Sequence, residues 1–186
     1  VVNEAIMEDG SYRKSKFYEI LGEEFIPLAF QYAHEADPEA ELYYNDYNSE
    51  MTMKALVTRD IVDSLIADGT IDGYGFQSHY SVGSTNIFYV EVAMKEMAKR
   101  VLQDGTPIRL RVSELDVGIP ANTESNWKTQ ARFYEDLFEI YLKHADQIDA
   151  VHTWGTTDDL SWRRENYPLL FDGQSQPKLA FDAITD

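Results

Sequence analysis

The chain has 186 residues, with 33 Asp plus Glu against 16 Lys plus Arg, a formal charge of −17 and no cysteine. So acidic a surface repels phosphate backbones and anionic bilayers, which argues against nucleic acid and membrane partners, while disulfides and thiolate-bound metals are excluded. Hydrophobic residues at 44% and aromatics at 13% suffice for a core, and no apolar run reaches the roughly 18 residues of a membrane span.

Short β-like runs alternate with longer helical patterns, the signature of βαβ units and a parallel sheet. Val1-Val2 reads as a strand ending at Asn3-Glu4, after which Phe17, Ile20, Leu21, Leu28 and Tyr32 keep helical spacing. A strand at Glu41 to Tyr44 precedes a helix carrying Leu56, Val57, Ile61, Leu65 and Ile66, stopped by Asp68-Gly69. A strand at Gly73 to Gln77 leads to a helix with Val90, Met94, Met97, Val101 and Leu102, stopped by Asp104-Gly105. Ile108 to Val112 is the next strand, and a polar connection from Gly118 through Asn126 leads to a helix marked by Phe133, Tyr134, Leu137, Phe138, Tyr141 and Leu142. A strand at Ala150 to Thr153 and a short helix at Lys178 to Ile184, behind Pro177, complete the pattern. No low-complexity tract or linker divides the chain, so residues 1 to 186 read as one architectural unit.

Polar and aromatic residues gather just after the strands: Asn3-Glu4, Asn45-Asp46-Tyr47-Asn48, Gln77-Ser78-His79-Tyr80, Glu114 with Asp116, and Trp154 through Trp162. Barrel enzymes build their sites from strand ends and the loops that follow. A doubly wound α/β fold also fits the alternation and the length, but no glycine-rich loop follows a strand to hold a nucleotide phosphate. For Asn48 and Ser49 a turn or a helix N-cap competes with a functional reading. Trp127, at the start of a helical segment, is expected to pack in the core, and His34, His144 and His152 are read as structural. No spacing among the four histidines suggests a metal site, and no cofactor is expected.

Two carboxyl groups at strand ends are what glycosidic cleavage needs, because one must protonate the leaving oxygen while the other stabilises or attacks the sugar carbon. Val1-Val2-Asn3-Glu4-Ala5 and Ser113-Glu114-Leu115-Asp116-Val117 resemble the acid/base and nucleophile motifs of family 10 glycoside hydrolases, the retaining endo-β-1,4-xylanases. The resemblance covers nearly the whole chain. It implies the C-terminal part, about strands 4 to 8, of a (β/α)8 TIM barrel, since in that family the Asn-Glu motif closes the fourth strand. The N-terminal half is then expected elsewhere, on another chain or on a separated segment of the same one; some members carry a carbohydrate-binding module inserted in the barrel.

By the same resemblance Glu4 is the general acid and then base, and Glu114 the nucleophile, at the carboxyl separation of roughly 5 to 5.5 Å that a retaining mechanism requires. His79 is implied to hydrogen-bond to Glu114 and to be tied to Asp116, which shares strand parity with Glu114 and so points to the same side. Hydrogen bonds donated to Glu114 would keep it ionised. Asn3 is implied to bind the sugar 2-hydroxyl with Gln77 nearby, Asn45 and Tyr47 belong to a fifth-strand motif on the leaving-group side, and Trp154 and Trp162 wall the non-reducing side. The expected partner is xylan or a xylo-oligosaccharide, and the setting implied by the resemblance is extracellular, or periplasmic or at the cell surface, with any secretion signal upstream of residue 1. A related retaining β-1,4-glucanase and a non-catalytic xylan-binding remnant remain as alternatives. Without the first three strands the span is expected neither to fold stably nor to hydrolyse xylan.

Overall fold

The structure is a computed structural model that describes residues 1–185. Six parallel strands form one sheet: β1 (Val2–Asn3), β2 (Tyr43–Asp46), β3 (Gly73–Phe76), β4 (His79–Ser81), β5 (Arg109–Gly118) and β6 (Ile148–Thr153). Between them run α1 (Lys16–Leu21), α2 (Phe25–Ala36), α3 (Thr52–Asp68), α4 (Ile87–Ala98), α5 (Glu124–Leu142) and, last, α6 (Leu179–Thr185). β3 and β4 pair with successive stretches of β5, Phe76 opposite Val112 and His79 opposite Asp116. They are therefore one strand position, interrupted at Gln77-Ser78 where Ser78 takes a left-handed φ of 66°.

Side chains alternate across the sheet and give its two faces different chemistry. Tyr44, Tyr74, Phe76, Leu110 and Val112 point to the helices and are buried with Ile61, Leu65, Val90, Met94 and Tyr134. Tyr43, Asn45, Arg111 and Ser113 stand on the opposite, polar face. There the Asp149 carboxylate meets Arg109 and the Tyr43 hydroxyl, while the Arg111 guanidinium lies 4.5 Å from the Tyr43 ring centre. Gly73 and Gly75 leave room on that face for their neighbours: a Cβ at Gly73 would fall 2.1 Å from the Tyr43 ring, and one at Gly75 2.3 Å from Asn45 Oδ1.

Helix boundaries have local causes. Ser15, Asn86 and Thr123 cap α1, α4 and α5 by accepting from Tyr18, Phe88 and Asn126 backbone N–H groups. Gly69 ends α3 in the left-handed conformation at φ 69°. Several expectations are corrected. The first helical segment is split by a 3₁₀ turn at Gly22–Glu24, because Gly22, at φ 63°, breaks the α-helical path. α4 stops at Ala98, six residues before Asp104-Gly105, which instead turns the chain so that Val101 can pair with Pro107. Trp127 is 36% exposed, its indole N–H spent on Asn122 Oδ1 at 2.7 Å, and so does not pack in the core.

Among the described residues β1 and β6 each have one unpaired edge. Beside β1, Phe17, Ile20 and Tyr32 are 68%, 78% and 61% exposed although their spacing is that of a buried helix face. Scattered exposed apolar groups are ordinary, but here aromatic and branched side chains are grouped beside an open sheet edge.

Candidate active site

Glu4 follows β1 directly. Its backbone takes φ 54°, a conformation that costs a non-glycine residue about 1–3 kcal/mol, and its N–H donates to Asn45 O at 3.0 Å. The chain then folds back on itself: Ile6 bridges Tyr12, Gly10 turns at φ 84°, and Arg13 N donates to Ala5 O at 2.7 Å. This return places the Arg13 guanidinium over the strained residue. Its Nε donates to Glu4 O at 2.7 Å, and its Nη2 lies 3.5 Å from Glu4 Oε2 and 3.2 Å from the Tyr47 hydroxyl.

Glu114 lies in β5 opposite the break between β3 and β4, its N–H donating to Gln77 O at 3.1 Å. The His79 ring stands between two carboxyl groups, Nε2 at 3.2 Å from Glu114 Oε2 and Nδ1 at 2.9 Å from Asp116 Oδ2. Asp116 is fully buried and also receives the Trp162 indole N–H at 2.9 Å and Arg163 Nη1 at 2.6 Å. Arg163 is fixed in turn by Tyr80 O at 3.0 Å and Ser81 Oγ at 2.5 Å.

Three amide side chains connect the two glutamates. Gln77 Nε2 donates to Glu4 Oε1 at 3.0 Å and to Asn3 Oδ1 at 3.1 Å, Asn45 Nδ2 donates to the same Asn3 oxygen at 2.8 Å, and Asn45 Nδ2 also lies 2.9 Å from Glu114 Oε1. Ser113 Oγ donates to the Asn45 oxygen at 2.6 Å. Glu4 and Glu114 thus line one open cleft with Gln77, His79, Tyr47, Trp154 and Trp162. Trp154 and Trp162 are 49% and 65% exposed, and Trp162 stands edge-on to His79 with ring centres 5.1 Å apart. One wall of the cleft is therefore aromatic.

Tyr47 forms another wall. Its ring lies over the buried Lys54 ammonium, 3.3 Å from the ring centre, and Lys54 pairs with the buried Asp46 at 2.7 Å. Burial pushes the Asp46 carboxyl up, against the pull of Lys54, and pushes the Lys54 ammonium down; partial burial and the nearby Glu8 carboxylate raise the Tyr47 hydroxyl. Asn48 makes a turn at φ 48° with its carbonyl accepting from Met51 N, and Ser49 Oγ bonds Tyr74, so neither caps a helix.

All ten residues singled out from the sequence, Asn3, Glu4, Asn45, Tyr47, Gln77, His79, Glu114, Asp116, Trp154 and Trp162, fall at this end of the sheet. His34, His144 and His152 do not line the cleft. Sequence reasoning missed Arg13, Ser113, Arg163 and the buried Lys54. For Arg163 the adjacent Trp162 was a signal; for Lys54, a lysine on an amphipathic helix gives none.

A parallel sheet backed by helices, with two glutamates and two tryptophans gathered in one cleft at the carboxyl ends of its strands, matches the arrangement of part of a (β/α)8-barrel glycoside hydrolase. The chain belongs to Glycosyl hydrolase family 10, whose model matches residues 1–186. It is 38% identical over its full length to an endo-1,4-beta-xylanase A of Thermoanaerobacterium saccharolyticum, covering 16% of that protein, and equally identical to an exoglucanase, XynX, of Acetivibrio thermocellus, covering 17%. The solved structure of an intracellular xylanase from Thermoanaerobacterium saccharolyticum superposes with a TM-score of 0.89 at 37% identity, over 99% of this chain and 56% of that one. Glutamate-to-alanine mutants of that enzyme have been solved with xylotriose and xylotetraose. The present chain thus spans well under a fifth of those curated relatives and little more than half of the solved xylanase.

Proposed function

We propose that this chain is the C-terminal part of the catalytic barrel of a retaining endo-β-1,4-xylanase, with Glu4 as acid/base and Glu114 as nucleophile. The observation that carries the reading is the hydrogen-bonded path Glu4–Gln77–Asn3–Asn45–Glu114, which holds two carboxyl groups in one cleft beside aromatic walls. Glu114 Oε1 or Oε2 attacks the anomeric carbon as the glycosidic C–O bond breaks, and Glu4 gives its proton to the departing oxygen. Water then attacks the glycosyl ester, loses its proton to Glu4, and releases the sugar with its original configuration and Glu114 as carboxylate. No metal or cofactor enters the scheme.

Each supporting residue has a task in this reading. His79, oriented by Asp116, donates to Glu114 and relinquishes that bond as charge leaves the carboxylate. Asn3 and Gln77, already aimed into the cleft, meet the hydroxyls of the sugar beside the cleaved bond. Trp154 and Trp162 cover the apolar C–H faces of sugars on the non-reducing side, and Tyr47 those on the leaving-group side. Xylan is too large to enter a cell, so in this reading polymer is attacked outside it; an intracellular enzyme, such as the Thermoanaerobacterium xylanase, would meet oligosaccharides instead.

The open edges of β1 and β6, with the exposed Phe17, Ile20 and Tyr32, support a second proposal: the remaining barrel strands pair there, from the same or another chain. Residues 1–186 expressed alone are expected to lack a cooperative melt and xylanase activity; a stable, active monomer would refute this.

A second reading, action on β-1,4-glucan, is favoured by the relative named as an exoglucanase. Turnover on xylan and on soluble cellulose, measured side by side, separates the two. The role of Glu114 is tested by trapping with 2,4-dinitrophenyl 2-deoxy-2-fluoro-xylobioside. Peptide mass spectrometry should find the label on Glu114, and a label elsewhere would defeat the assignment.

A further inference from the structure

Arg13 is not used in the scheme above, yet it contacts two parts of it. One edge of its guanidinium donates to the backbone carbonyl of Glu4 at 2.7 Å, and the Nη2 that lies 3.5 Å from the Glu4 carboxylate also reaches the Tyr47 hydroxyl at 3.2 Å. A planar guanidinium fixes the angles between its N–H groups, so these contacts are geometrically tied to one another in a way that a flexible ammonium could not reproduce. The arrangement is built on both sides. Glu4 sits at φ 54°, a strained conformation that persists only if something holds it, and the hairpin return from Ala5 to Arg13 supplies the hold. The Tyr47 ring also lies against the buried Lys54 ammonium, 3.3 Å from the ring centre, and Lys54 is itself paired with the buried Asp46, so the ring is anchored beneath its hydroxyl contact to Arg13.

From these contacts, and resting on the reading of Glu4 as the acid/base, we infer that Arg13 is a positioning residue. It couples the orientation of the proton donor to the seating of the leaving-group sugar on Tyr47, so that the carboxyl of Glu4 faces the glycosidic oxygen when that sugar is in place. The substrate class on which this matters follows from the chemistry. A leaving sugar is a poor leaving group that needs a proton delivered at the correct angle, whereas a dinitrophenolate departs unassisted; general acid catalysis contributes about 10²–10⁴-fold only where it is needed.

The test uses the full-length protein carrying Arg13→Gln or Arg13→Lys, assayed on xylotetraose and on 2,4-dinitrophenyl β-xylobioside. The loss in kcat/KM on xylotetraose is expected to exceed the loss on the dinitrophenyl substrate by about 10-fold or more, for Lys as for Gln, since the lysine keeps the charge but not the fork. Equal losses on both substrates would mean that Arg13 only supports the fold, and would overturn the inference, as would full activity of Arg13→Lys. Glu4→Ala, run in parallel, separates this from the underlying reading. It must itself show the steeper loss on xylotetraose; if it does not, the assignment of Glu4 fails whatever Arg13 does.

Discussion

Asn45 Nδ2 lies 2.9 Å from Glu114 Oε1, and the oxygen of the same amide lies only 2.3 Å from where a Cβ on Gly75 would stand. An amide side chain that orients the proposed nucleophile is therefore accommodated by the absence of a side chain on the adjacent strand. A side chain at Gly75 would therefore displace Asn45.

Gly75→Ala is accordingly expected to push Asn45 out of contact with Glu114 and Asn3, and to lower kcat on xylan by about 10- to 100-fold, the scale on which misplacement of a reacting group is felt. Asn45→Ala should lose a similar amount. Because both act through one contact, the double variant should lose no more than the worse single one. Additive losses in steady-state kinetics, with circular dichroism unchanged, would contradict the coupling.

Trp162 is 65% exposed but pinned by its indole N–H on Asp116, so it can offer a sugar a rigid face. Covering such a face removes apolar surface worth about 1.5–3 kcal/mol, or roughly 10- to 100-fold in affinity. Calorimetry with xylotetraose in the Glu114→Gln background should show that loss on Trp162→Ala. Unchanged affinity would remove Trp162 from the binding wall.

Glu50 is the group whose protonation should be visible in stability. Its Oε2 is buried beside α3 and α4 with no hydrogen-bond partner among the described residues, and burial raises its carboxyl above the ordinary 4.5, against a smaller downward pull from its own backbone and Lys54. A raised folded-state value means that the folded form keeps a proton the unfolded form has lost. Stability from this group is then full below pH 4.5 and declines as pH rises through the folded-state value. In the full-length protein Glu50→Gln should therefore melt close to the parent at pH 4.5 and above it at pH 7, by about 2–4 °C for each kcal/mol relieved. A gap that stays constant with pH would count against this.

Much of the strand and helix order was legible because apolar spacing and turn residues are local signals, and Asn3, Glu4 and Glu114 were legible because each sits in a short continuous motif. The rest depends on contacts between distant segments. Arg163 reaches Tyr80 and Ser81, more than eighty positions earlier in the chain, and Arg13 returns to Glu4 through a hairpin that no hydrophobic pattern marks. Lys54 reads as a solvent-facing lysine until Asp46 and the Tyr47 ring are found around it. Trp127 shows the opposite error: size and helical position suggested a core, while Asn122 keeps it at the surface.

The most direct measurement is the anomeric configuration of the first sugar released, followed by proton NMR during the initial minutes of xylotetraose hydrolysis by the full-length protein. Attack by Glu114 followed by water gives the β-anomer first, with the α-form appearing only by slow mutarotation. An initial α-product would mean direct displacement by water, and Glu114 could not then be the nucleophile.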